Sequence, residues 1–163
     1  MKSSKIDRDG LILCDIQAKA FELSLSSVEC SSEIFIRRFM YSNVAKAMDN
    51  LVFLETNLQA EDIIADVDSQ FGRTDYGSVK YRANEMHWIG YFYRYFAYTY
   101  RKSSIQVFKI VKPKELRGLY LPYHTMDPAK AVDRILEAKG LALDKEAELR
   151  RQYEIFERIR DNA

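Results

Sequence analysis

An all-α fold is what this sequence predicts: a single compact multi-helix domain built around a central aromatic helix at about residues 84–102. Three observations lead there. Eight of the thirteen residues from Trp88 to Tyr100 are aromatic, and the sole tryptophan opens the run. Read as a helix, this run carries large rings on nearly every side, which marks a buried axis. Only three prolines and six glycines interrupt 163 residues; so few breakers favour long helices over short strands joined by tight turns. Hydrophobic residues make up 47% and charged residues 30%, which supports a substantial core in a chain of one-domain size.

The elements follow in order. Residues 1–8 are polar and charged and read as a disordered N-terminus, followed by one helical domain over 9–163. Asp9 is a candidate N-cap for a first helix reaching about Ser24, with Leu13, Ile16, Ala20 and Leu23 on one face. Ser24, Ser26 and Ser27 read as a polar break. A second helix starts near Ser31 or Ser32 with Ile34, Phe35, Phe39 and Met40, and Ser42–Asn43 caps a short third one. Leu51 to Leu54 fits a helix end or a strand. Asn57 is a candidate cap for an acidic helix from Gln59 to Phe71, stopped by Gly72. Residues 72–78 form the most loop-like interior segment, a candidate hinge.

Asn84 is the candidate cap of the aromatic helix, whose Trp88, Phe92, Tyr95, Phe96 and Thr99 share a stripe. Gly90 and Ala97 are small enough to admit a close neighbour. A strand is the rival, since Tyr and Phe favour sheets, but no turn signal interrupts Glu85 to Lys102. Ser103 caps a helix to Val111. Pro113 opens the next at its first position, and Pro122 ends it. Asp127–Pro128 starts another, which stops at Gly140. The last helix, Asp144 to about Arg160, has the apolar line Ala147, Leu149, Tyr153, Phe156 and Ile159.

Charge and cysteine usage exclude several classes. Twenty-five basic and 24 acidic residues give a net charge of +1, without the basic excess of a dedicated nucleic-acid binder. Cys14 and Cys30 form no CxxC pair, and with two histidines they make no convincing zinc set. They read as reduced thiols. Glu61, Asp62, Asp66 and Asp68 read as a solvated helix face rather than a metal site. The N-terminus lacks the apolar core of a signal peptide. The aromatic run is too short to span a bilayer and contains Arg94. A soluble, cytoplasmic protein with neither metal nor cofactor is the expectation.

Two histidines carry the catalytic options. His87 follows Arg82 with four residues between, and His124 follows Arg117 with six. This spacing resembles the Arg-x(4–6)-His pattern of HEPN-family ribonucleases, which are helical and often dimeric. The resemblance implies that Arg holds the scissile phosphate while His shuttles a proton without a metal. With thirteen arginines, a chance Arg falls in that window for a given His about a quarter of the time. Pro122 also interrupts the second pair. No Gly-rich phosphate loop, GxSxG elbow or HExxH pattern is present.

The tyrosines offer a different chemistry. Tyr91, Tyr98, Tyr100 and Tyr123, with Arg94 and Arg101, form a candidate partner-binding set, because tyrosine is large, rigid and half polar. Tyr91, Tyr93, Tyr98 and Tyr100 also suit base stacking.

The run Trp88-Ile-Gly-Tyr-Phe-Tyr-Arg-Tyr-Phe-Ala-Tyr-Thr-Tyr100, with Ser103-Ser104, Lys112-Pro-Lys-Glu-Leu116, Leu121-Pro-Tyr-His-Thr125 and Ile34-Phe-Ile-Arg-Arg-Phe-Met40, resembles a group of small bacterial proteins. These are encoded beside toxins of the ADP-ribosyltransferase type. The similarity covers roughly residues 10 to 140 and brings no catalytic residues with it. It implies an antitoxin-like or accessory member of a toxin–antitoxin or defence module: a non-enzymatic component whose partner is a toxin or a second copy. A HEPN-type ribonuclease and a DNA-binding regulator are the rivals. Nucleic acid is the less favoured partner, and no membrane role is expected.

Overall fold

The computed structural model describes residues 3–141 and 144–162, with the side chains of the last helix described from Arg150 onward. Every regular element among them is helical: α1 (Arg8–Ser27), α2 (Ser32–Met40), α3 (Asn43–Asp49), a 3-10 turn (Val52–Glu55), α4 (Ala60–Phe71), α5 (Ala83–Thr99), α6 (Ser104–Ile110), α7 (Pro113–Tyr123), α8 (Pro128–Ala138) and α9 (Asp144–Asp161). The 3-10 turn resolves the ambiguity of Leu51 to Leu54.

The aromatic run forms α5, and from Ile89 to Ala97 only Tyr91 is not buried. α1 lies along it in the most extensive pairing of the fold, while α6, α7 and α8 close its other sides. Gly90 makes that approach possible. A Cβ there would sit 2.9 Å from the Gln17 carbonyl oxygen and 2.8 Å from the Phe21 ring, so α1 touches the α5 backbone itself. Edge-to-face pairs Phe21–Phe35 at 5.7 Å and Phe21–Phe39 at 5.1 Å join α1 to α2, a geometry favoured by ring quadrupoles.

Serine caps operate where the sequence places them. Ser31 accepts from Ile34 N–H, Ser42 from Ala45 N–H and Ser103 from Gln106 N–H. Asp127 caps α8, accepting from Ala129 N–H. Three caps shift by two residues. Asp7, not Asp9, receives Gly10 N–H at 3.0 Å. α4 starts after Gln59, whose N–H donates to Asp62 at 2.8 Å, rather than at Asn57. α5 starts after Arg82, whose N–H donates to Glu85 at 2.9 Å, rather than at Asn84. In the latter two a carboxylate in the first turn reaches back and replaces an Asn cap.

Three further expectations need correction. Ser24 and Ser26 do not break α1: their hydroxyls donate to the carbonyls of Phe21 and Leu23 inside the helix, which leaves its ladder intact. Pro122 lies within the last turn of α7, which runs on to Tyr123. The segment before α1 is tied down, since Ser4 N–H donates to Thr99 O at 2.7 Å and Tyr98 Oη to Asp7 at 2.5 Å; Met1 and Lys2 lie outside the described residues.

The candidate hinge at 72–78 opens an extended strap fastened to the start of α2. Ser31 N–H donates to Tyr76 O at 3.1 Å and Ser32 N–H to Val79 O at 3.0 Å. Arg38 donates to Gly72 O, and Lys80 to the Val28 carbonyl at the end of α1.

Among the described residues, α9 differs from the rest in showing no extensive packing against another helix. The Ala147 and Leu149 positions of its expected apolar line lie outside the described side chains.

Candidate functional site

α5 organises every candidate, so the sites are built from it outward. Arg94 is the one charged residue in the middle of the aromatic run, and it is only 2% exposed. A guanidinium there demands acceptors, because an unpaired buried charge is costly. It has three: Nε donates to Gln17 Oε1 at 2.7 Å, Nη1 to Asp49 Oδ1 at 2.7 Å and Nη2 to Ser104 Oγ at 2.8 Å. The Ser104 hydroxyl in turn donates a hydrogen bond to Asp49 Oδ1 at 2.7 Å, and Ser104 N–H donates to the same carboxylate. The network ties α1, α3, α5 and α6 together. Arg94 therefore cannot serve on a partner surface as its sequence position suggested; it is a structural clamp.

The tyrosines are spread over different surroundings. Tyr93 is wholly buried, donating to Val111 O at 2.6 Å, so it does not stack on a base. Tyr91 is half-buried and stacked on Tyr95 at 6.4 Å. Tyr98 and Tyr100 are half-buried, and their hydroxyls bond Asp7 and Asp133. Burial, followed by these carboxylate bonds, pushes both phenols up to about 12. Tyr123 packs half-buried against the core. Arg101 is exposed, in a left-handed backbone with φ of 52°.

The histidine pairs do not assemble. Arg82 and His87 are five residues apart at the start of α5, about 140° around a helix. His87 instead faces α1, with Nδ1 3.2 Å from Glu22 Oε1. Arg117 turns to Glu85 at 3.3 Å and lies over the Tyr81 ring at 4.4 Å. His124 stacks on Tyr120 at 4.1 Å with Nδ1 2.7 Å from the Tyr120 carbonyl oxygen. His87, Arg117 and His124 are thus each engaged by a group other than the sequence partner.

Two surface features bring some of these residues together with others that the sequence did not single out. One is a groove of about 710 Å³ between α1, the 3-10 turn and the start of α4, with Ile12, Ile16, Leu54 and Leu58 on its walls and His87 at its rim. The other is a cleft of about 560 Å³ at the C-terminal end of α5, with Lys5, Arg101 and Lys102 around it and Arg94 in its wall. Among the described residues no group of His, Cys, Asp and Glu could hold a metal ion, and no helix is long and apolar enough to cross a membrane.

α9 presents a group of uncovered apolar side chains: Tyr153 is 64% exposed, Ile155 48%, Phe156 73% and Ile159 63%. At 100° per residue these four lie within about 160° of arc, and Arg150, Glu154, Glu157, Arg158 and Asp161 fill the opposite side. No family model, curated protein or solved structure matches this chain.

Proposed function

We propose that this protein is a non-enzymatic interaction component whose C-terminal helix is the element that docks on a protein partner. The observation that carries the reading is the exposed stripe of Tyr153, Ile155, Phe156 and Ile159. An 18-residue helix in water gains most of its stability by packing its apolar face, and among the described residues α9 has no extensive pairing with another helix. Large aromatic side chains left uncovered on one helix face are what helix-in-groove recognition uses. The dispersal of the Arg and His pairs supports the same reading over the ribonuclease. The near-neutral charge supports it over a DNA-binding regulator.

The resemblance to antitoxin-like proteins makes the product of a neighbouring toxin gene the partner to try first. The test is co-expression of the two, with the tagged wild-type chain and with Phe156→Glu. Recovery of a stoichiometric complex by the wild type, lost in the variant, supports the proposal. No complex, together with no rescue of toxicity, overturns the toxin as partner. If Phe156→Glu also leaves light-scattering mass unchanged at the monomer value, the docking role of α9 falls as well.

A further inference from the structure

The C-terminus of α5 is built from a motif that normally ends in glycine. Lys102 N–H donates to Ala97 O at 2.8 Å and Arg101 N–H to Tyr98 O at 3.3 Å, the two bonds of a Schellman cap, whose following residue must be left-handed. The same chain uses the same cap at the end of α8, where Leu141 N–H meets Leu136 O at 2.9 Å and Gly140 N–H meets Glu137 O at 3.0 Å. There the left-handed residue is Gly140, at φ of 72°. At the end of α5 it is Arg101, at φ of 52°. A side chain in that conformation is disfavoured by about 1 kcal/mol or more relative to glycine. The Arg101 side chain does not offset the loss: it is exposed and makes no ion pair or hydrogen bond among the described residues.

The second non-glycine residue with positive φ is Leu51, at 68°. It follows α3, and it lines the same cleft of about 560 Å³ as Arg101. Strained backbone gathers at functional sites more than elsewhere. Around this cleft Lys5, Arg101 and Lys102 all lack an ion-pair partner among the described residues. The buried Arg94 in its wall is neutralised by Asp49. Asp7, the remaining acid, has its carboxylate engaged by Tyr98 and Gly10. Met48, Leu51 and Tyr98 add an apolar side.

We infer that this cleft is a binding site for a phosphate-bearing small molecule, with Arg101 held in its strained position to meet the phosphate beside Lys5 and Lys102. Three unpaired cations on a bounded cavity fit a compact anion. An extended polyanion would call for a longer basic stripe than the Lys5, Arg101 and Lys102 that line this cleft. The site is separate from α9 and does not rest on the docking proposal.

The experiment is calorimetric titration of the whole chain with pyrophosphate and with AMP, using wild type and Arg101→Gly. The glycine variant relieves the left-handed strain, so it should melt a few degrees higher than wild type while its affinity for either probe falls at least tenfold. Binding of neither probe by wild type at millimolar concentration overturns the site. Equal binding by Arg101→Gly overturns the role of Arg101. A single-stranded oligonucleotide that binds wild type more tightly than both probes, and loses affinity in the variant, overturns the small-molecule assignment in favour of nucleic acid.

Discussion

Arg94 and Asp49, 45 residues apart in the chain, meet at 2.7 Å with the guanidinium almost entirely out of water and the carboxylate 16% exposed. Such a pair contributes little net stability when compared with an apolar pair of the same shape, yet removing one partner leaves the other charge uncompensated. Because the Ser104 N–H and hydroxyl also terminate on Asp49, this carboxylate fixes where α6 begins as well as where α5 lies.

Substitution Arg94→Met should therefore destabilise by about 3 kcal/mol, and Asp49→Asn by a similar amount. The double variant should lose clearly less than the sum, because neither charge is then left alone. Urea denaturation of the three variants measures the coupling. Strict additivity would mean that the pair is energetically idle.

The contact between Gly90 and α1 gives a second test. Helix propensity alone would make Gly90→Ala stabilising by up to about 1 kcal/mol. The added methyl would stand 2.9 Å from a backbone oxygen and 2.8 Å from a ring carbon, and neither is the free end of a flexible side chain. Overpacking should win, with a net loss of about 1–3 kcal/mol. The same substitution at Gly118, where a Cβ meets nothing within 4 Å, should be neutral or stabilising. Thermal melts of the two variants side by side separate crowding from propensity.

These cases show where sequence reading succeeds and where it stops. The aromatic run could be recognised as a buried helix because its rings leave no polar face, and most helix starts could be found because Ser, Asp and Pro act locally on the next few backbone groups. Cap positions shifted where Glu85 or Asp62, three residues inward, took over the work expected of Asn84 or Asn57. The role of Arg94 was half visible: a lone charge amid eight rings must be paired, but nothing local names Asp49, Gln17 and Ser104 as the acceptors. The cationic cleft was legible only in part: Arg94, Tyr98 and Arg101 stood in the candidate partner-binding set, whereas Lys5 and Leu51 join them from separate parts of the chain. Of the apolar line expected on α9, Tyr153, Phe156 and Ile159 fall on the exposed stripe, joined by Ile155, which the spacing did not single out; what covers that face was not legible, because periodicity does not reveal what packs against it.

The two thiols should be inert. Cys14 is fully buried, and burial pushes its thiol up to about 12. Cys30 is 3% exposed and raised in the same direction by burial. Since the thiolate is the nucleophile, a thiol reagent should label neither cysteine in the native protein near neutral pH and both in denaturant. Stoichiometric labelling of the folded chain would show that the α1–α5 or α1–α2 packing opens readily.

The hydrogen bond from Tyr98 Oη to Asp7 at 2.5 Å contributes to the pH dependence of stability at both ends of the scale. The Tyr98 phenol is raised to about 12, by burial first and by this bond second. A raised folded-state value means that the contribution is fully present below the unfolded value near 10 and disappears as pH rises through about 12. Asp7 is lowered, by this bond first and by Gly10 N–H second. Its contribution is present above the unfolded value of about 3.8 and disappears as pH falls through the lower folded value. Wild type should thus lose stability in alkali as well as in acid, whereas Tyr98→Phe should start lower at neutral pH and show a flatter profile on both limbs. Urea midpoints across the pH range test this, alongside phenolate absorbance of the folded chain, which should lack one late-titrating group in the variant. Unchanged acid and alkaline limbs in Tyr98→Phe would mean that the N-terminal segment is not held to α5 by this bond in solution.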